Sequence, residues 1–252
     1  MDLDLKDKIV ILTGATGGIG KQICADFLLE GAIVIVVYRN DDKLKTLIKY
    51  LSELKLNITK VYPVKTDVLK KSEIDLCVKE VLLKFSRIDV LINCAGSSFE
   101  CSFAILDENI IEHMININLK SPMLFSQAVL KPMFKQKSGC IINVTTVATH
   151  KAGRGIVAYA SAKAGLDTFT RTLAQEVGRK NIRVNTIRPG IIKTEMSKQI
   201  LENLGDYIVE STAINRIGNP ADISAVALFL ASEKTSSFIN GTNINVDGGF
   251  SL

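Results

Sequence analysis

The chain has 252 residues, 47% of them hydrophobic and 23% charged, with a formal net charge of +5 at pH 7. This is an ordinary balance for a folded globular protein, so it excludes a disordered chain, and the length suits one large α/β domain. The Lys and Arg residues form no dense run, which argues against a nucleic-acid partner, and the longest apolar runs, such as AIVIVV (32–37), are too short to cross a bilayer.

Seven short runs read as strands: KIVILT (8–13), AIVIVVY (32–38), KVYPVK (60–65), IDVLIN (88–93), CIINVT (140–145), IRVNTI (182–187) and TNINVD (242–247). Most are continuous in Ile and Val, the pattern of parallel strands covered on both faces. Between them, segments 19–30, 41–55, 72–85, 107–136, 157–179 and 220–232 carry apolar residues at helical spacing. The alternation predicts an α/β fold. It is a single Rossmann-type doubly wound domain over 1–252, with a mostly parallel seven-stranded sheet flanked by helices on both faces. Pro63 cannot donate to a ladder, so the third strand belongs at the sheet edge, where a 3-2-1-4-5-6 order puts it. Segment 191–215 follows the turn Pro189-Gly190 without clear periodicity and reads as a flap over a substrate.

Five cysteines (Cys24, Cys77, Cys94, Cys101, Cys140) form no CxxC and no even framework, which suits free thiols in a reducing, cytoplasmic compartment. His113 and His150 lie far apart and outside any ligand pattern, so no metal site is expected. The acidic start MDLDLKDK leads directly into a strand and does not read as a signal peptide.

The chemistry begins at TGATGGIG (13–20), which follows the first strand and opens a helix. Glycines here allow a tight turn, let backbone approach a pyrophosphate and aim a helix N-terminus at negative charge. Further on, YASAK (159–163) sets Tyr159 and Lys163 one helical turn apart on the same face. Taken alone the pentapeptide reads more readily as a surface pair on an Ala-rich helix than as a catalytic one.

TGATGGIG, NCAG (93–96), YASAK and Pro189-Gly190, in this order and spacing, resemble the short-chain dehydrogenase/reductase superfamily, and the match runs to the closing VDGG (246–249). The resemblance implies that Tyr159 is the general acid for carbonyl reduction. Lys163 would stabilise its phenolate by charge, lowering a pKa that is ordinarily near 10. Thr146, thirteen residues before Tyr159, stands where the family has a serine that bonds the substrate oxygen, with Thr145 as the fallback. Asn118 matches the asparagine that interrupts a helix and holds a water beside the lysine. The implied cofactor contacts are Gly14, Thr16, Gly18, Ile19 and Gly20 in the turn, and Asp67 with Val68 at the adenine. Asn93, Ala95 and Gly96 would wall the adenine-ribose part, and Pro189, Gly190, Ile192 and Thr194 would meet the nicotinamide, together with Tyr159 and Lys163.

Arg39 and Asn40 follow the second strand, where relatives that use NAD carry an acidic residue. A guanidinium suits a 2′-phosphate, so NADP(H) is favoured over NAD(H), although Gly17 adds no second basic group. The subgroup most similar in character is that of the 3-oxoacyl-[acyl-carrier-protein] reductases. That implies a small carbonyl or alcohol substrate, free or carried on CoA or a carrier protein, with Lys135 and Lys137 as basic groups near the mouth. Gln175 departs from the Arg that carrier-specific relatives tend to have. The alternatives are an NAD-linked alcohol, sugar or hydroxysteroid dehydrogenase, or a non-catalytic cofactor-binding protein on the same fold. A homotetramer, built on the helix at 157–179 and on 220–247, is expected from the same resemblance.

Overall fold

The computed structural model describes residues 2–252. Seven strands, β1 (Ile9–Thr13), β2 (Ile33–Tyr38), β3 (Val61–Lys65), β4 (Val90–Asn93), β5 (Gly139–Val144), β6 (Ile182–Pro189) and β7 (Asn243–Val246), form one sheet in the order β3-β2-β1-β4-β5-β6-β7. Every neighbouring pair is parallel. All seven strands lie where the apolar runs put them, and the sheet is the doubly wound one that the alternation implies. β3 is at the edge, with Pro63 opposite Val36.

Successive side chains of a strand point to opposite faces, and the core divides accordingly. Val10, Leu12, Val34 and Val36 join one apolar cluster, whereas Ile9, Ile11, Ile35 and Val37 join the other. Each of these side chains contributes roughly 1.5–3 kcal/mol by leaving water. This is why the runs contain no alternating polar residues: both faces are covered.

The helices are α1 (Gly18–Leu29), α2 (Asp41–Glu53), α3 (Lys71–Phe85), α4 (Glu108–Ile115), α5 (Ser121–Gln136), α6 (Val157–Val177), α7 (Lys198–Glu210), α8 (Pro220–Ala231) and the single turn α9 (Glu233–Ser236). α1 and α8 contribute to the first cluster; α3, α5 and α6 contribute to the second. The segment 107–136 is not one uniform helix. α4 passes into a π turn at Asn116–Lys120, in which Ser121 N–H bonds the Asn116 carbonyl, and α5 follows. The structure also corrects the irregular reading of 191–215, because most of that segment is helix α7. Of α7 only Ile208 is buried, so the helix lies on the surface of the core, while Ile192 at the start of the segment joins the core itself. Among the described residues, no helix is long and apolar enough to cross a membrane.

Candidate active site

β1, β4, β5 and β6 all end at the same edge of the sheet. The chain leaves β1 toward β2 on one side and later returns to β4 on the other, and open α/β sheets bind ligands at the crevice this reversal creates. The glycine turn closes on that edge. Gly14 has φ of +68°, and a Cβ there would stand 2.7 Å from the Ala95 nitrogen. A Cβ on Gly20 would overlap the Gly14 carbonyl, and one on Gly18 would stand 2.6 Å from the Thr194 methyl carbon. These three glycines therefore bring the turn, the 94–96 loop and the start of the 191–215 segment into contact. Thr13, which the motif reading passed over, joins them: its hydroxyl oxygen accepts the backbone N–H groups of Cys94 and Ala95, both at 3.1 Å.

The N-terminus of α1 has no side-chain cap and no acidic residue in its first turn. Its free N–H groups and positive dipole end leave a place for a phosphate. The residues thus fit a dinucleotide, with Gly14, Thr16, Gly18, Ile19 and Gly20 around the turn. Arg39 at the end of β2 is exposed and forms no ion pair among the described residues. Asn40 does not offer its side chain, because the carboxamide oxygen caps α2 by accepting Lys43 N–H at 3.0 Å. Asp67, half-buried beside Val68, accepts Leu69 N–H at 3.1 Å. At the other end, Gly190 N–H bonds the Val246 carbonyl (3.0 Å), and a Cβ on Gly190 would meet the Asp247 backbone at 2.7 Å. Pro189, Gly190, Ile192 and Thr194 thus line one wall, although the Ile192 side chain is buried.

Asn93 departs from its expected place. Its amide is 2% exposed and donates to Asn143 (2.8 Å), whose own amide donates to Thr170 (2.8 Å). The side chain belongs to a polar ladder inside the sheet, and only Ala95 and Gly96 remain at the crevice wall. The sequence motif could not distinguish the two, since the last residue of a strand can point into either layer.

The two halves of YASAK meet the end of β5. Lys163 is 4% exposed, and its Nζ donates to the Val144 carbonyl at 2.8 Å. The Thr146 hydroxyl accepts Ala148 N–H at 3.2 Å and lies beside the Tyr159 phenol, whose pKa it works to lower. Thr145, the fallback, is buried and turned to Asp167 instead (3.0 Å). Asn118 is fully buried in the π turn. Its amide donates to the carbonyls of Ser97 (2.9 Å) and Met114 (3.1 Å), and its oxygen accepts Ser97 N–H at 3.3 Å. A Cβ on Gly96 would lie 2.8 Å from the Asn118 oxygen and 3.3 Å from Lys163 Nζ, so all three share one small space.

The expected electrostatics require correction. Burial pushes the Tyr159 phenol above its ordinary range, with the Thr146 hydrogen bond working against that rise. Burial also pushes the Lys163 ammonium down, to about 8. The phenol is therefore protonated at neutral pH, and it is the lysine that titrates close to it. Spacing alone gives the charge of Lys163; the desolvation that opposes it depends on how tightly α6 packs on the sheet.

Lys135 and Lys137 are also misplaced by the sequence reading. They close α5 just before β5 begins, at the edge opposite the crevice, and cannot line the mouth of their own chain's site. Exposed basic side chains on segments next to the site include Arg154, Lys193 and Lys198.

The family profile described as Enoyl-(Acyl carrier protein) reductase matches residues 14–251. The chain is 36% identical over 245 residues to the 3-oxoacyl-[acyl-carrier-protein] reductase FabG of Thermotoga maritima, covering 97% of this chain and 98% of that one. Its counterpart from Chlamydia trachomatis is 37% identical over the same shares. A solved short chain dehydrogenase from Bacillus anthracis superposes with a TM-score of 0.88 at 34% identity over 98% of both chains. With the fold, the glycine turn and the Tyr159–Lys163 face in agreement, the chain belongs to the short-chain dehydrogenase/reductase family, oxidoreductases that act on CH–OH and C=O groups with a nicotinamide cofactor.

Proposed function

We propose that the chain reduces the 3-oxo carbonyl of an acyl thioester to an alcohol with NADP(H) as its cofactor. The observation that carries the reading is the convergence of two hydroxyls, Thr146 and Tyr159, with Lys163 one turn away on the same helix face. When bound, the nicotinamide cofactor supplies the hydride. The Thr146 hydroxyl steadies the substrate oxygen, and Tyr159, protonated at neutral pH, gives it the proton. Lys163, brought by burial to about 8, exchanges protons readily near neutrality, and Asn118 beside it keeps the path to solvent.

Gly14, Thr16, Gly18, Ile19 and Gly20 hold the pyrophosphate, Asp67 and Val68 the adenine, and Pro189, Gly190, Ile192 and Thr194 the nicotinamide end. The exposed Arg39 supports the 2′-phosphate. The acyl thioester is supported by the relatives' names, and the flap at 191–215, with exposed Met196, Leu204 and Tyr207, supports an apolar chain as the group it covers. Exposed Phe229, Phe238 and Leu252 support a homotetramer through the C-terminal segment. Five free cysteines support a cytoplasmic location.

The test is the initial rate with a short 3-oxoacyl thioester, with NADPH or NADH as the reductant. Turnover that prefers NADPH and is lost in Tyr159→Phe is expected. Absence of carbonyl reduction, or unchanged turnover in Tyr159→Phe, would overturn the reading.

A further inference from the structure

Three consecutive residues at the end of β5 each meet a residue on one face of α6. The Val144 carbonyl accepts Lys163 Nζ at 2.8 Å, the Thr145 hydroxyl donates to Asp167 at 3.0 Å, and the Thr146 hydroxyl lies beside the Tyr159 phenol. Tyr159, Lys163 and Asp167 recur every four residues and so form a single row along the helix. Two of these contacts belong to the chemistry proposed above. The third engages a carboxylate that the chemistry does not use, on a residue only 2% exposed.

The second oxygen of Asp167 accepts Arg188 Nε–H at 2.9 Å, and the guanidinium terminus completes the ion pair at 2.8 Å. Arg188 immediately precedes Pro189-Gly190, so the carboxylate joins the wall that carries Thr146 to the wall that begins the flap. Beyond it the Asn243 amide, with its oxygen toward Arg188 (2.8 Å), continues to Arg171 (3.2 Å).

We propose that Asp167 is a positioning residue for the catalytic pair. By holding Thr145 and Arg188 together it sets the register of the β5 end against α6, and with it the placement of Thr146 and Lys163 around Tyr159. The proposal rests on the carbonyl-reductase reading. Its physical argument is directional. A buried ion pair is poor evidence of stability, because apolar side chains of similar volume often serve as well or better. A carboxylate, however, accepts from two directions at fixed geometry, and no apolar side chain can hold the Thr145 hydroxyl. The charged and titratable groups around this point are Lys163 on the same helix, Arg188 from β6, and Cys94 after β4, whose thiol burial pushes up to about 11. The negative charge of Asp167 favours protonated Lys163, against the burial that disfavours it.

The test measures kcat, KM, the pH–rate profile and urea unfolding for four proteins: wild type, Asp167→Asn, Thr145→Val and the double variant Asp167→Leu/Arg188→Met. In Asp167→Asn, kcat should fall roughly tenfold to a hundredfold, the range of a misplaced catalytic group, with KM for the cofactor little changed. Its alkaline limb should move to lower pH, because Lys163 loses its proton more easily. Thr145→Val should reproduce part of the kcat loss. The double variant should recover wild-type stability to urea while kcat stays low, which separates positioning from filling space. Wild-type kcat and pH profile in the double variant, or a folded Asp167→Asn that turns over normally, would overturn the proposal. A wild-type chain that reduces no carbonyl would overturn the functional reading and this inference with it, whereas an active wild type beside unimpaired variants would overturn this inference alone.

Discussion

Replacing Lys163 with Met should stabilise the protein at neutral pH while abolishing its turnover. Burial lowers the Lys163 pKa from 10.5 to about 8, which at 1.36 kcal/mol per unit is a cost of roughly 3 kcal/mol to the folded state. The unfolded chain holds this proton more tightly than the folded one. The cost is therefore complete below about pH 8 and is relieved as pH rises from about 8 toward 10.5. Met keeps most of the aliphatic stem, removes the charge and leaves the Val144 carbonyl without its 2.8 Å partner, a loss of about 1 kcal/mol. The net gain at pH 7 is about 2 kcal/mol, and it should shrink and change sign by about pH 10. Urea unfolding at fixed protein concentration, at pH 7 and at about pH 9.5, measures the difference for wild type and variant. A Lys163→Met protein less stable than wild type at pH 7, or a gain independent of pH, would refute the desolvation argument.

Gly96→Ala should lower kcat by about tenfold with the fold intact by circular dichroism, because the new methyl would stand 2.8 Å from the Asn118 oxygen and displace it from Ser97 and Lys163. Arg39→Ala should weaken NADPH binding by roughly tenfold and leave NADH unchanged, read by nicotinamide fluorescence titration; equal effects on both would remove Arg39 from the 2′-phosphate. Asn143→Ala should destabilise the chain by about 1–2 kcal/mol in urea, because it removes two 2.8 Å hydrogen bonds inside the sheet and leaves the Asn93 amide only its longer contacts to Pro122 and Ser126, both 3.4 Å.

Much of the site was legible because the signals are local. The glycine turn needs only its own backbone: positive φ at Gly14 and the absent Cβ of Gly20 are demands that a short stretch states for itself. The four-residue interval of Tyr159 and Lys163 is a helix property, whereas Thr146 came from the family resemblance, which places a hydroxyl thirteen residues before the tyrosine. Asn118 was legible as an interruption, although not as a π turn, since one extra residue in a helical turn leaves no mark in apolar periodicity. Asn93 was misjudged because a motif names a residue but not the layer its side chain enters. Lys135 and Lys137 were misjudged because charge was read without asking which edge of the sheet they reach.

The amino-acid order alone therefore determined the seven strands and most of the helical segments, though not α7, together with where the edge strand lies and which residue types stand at the turn and on the α6 face. Those follow from side-chain period, backbone freedom and proline's missing donor, all local properties. Tertiary structure alone decided how deeply Lys163 is desolvated and which layer receives Asn93. It also brought Thr145, Asp167 and Arg188, from three separate elements, to one carboxylate. Burial and convergence are properties of packing, and packing is a relation between segments that no single stretch of sequence contains.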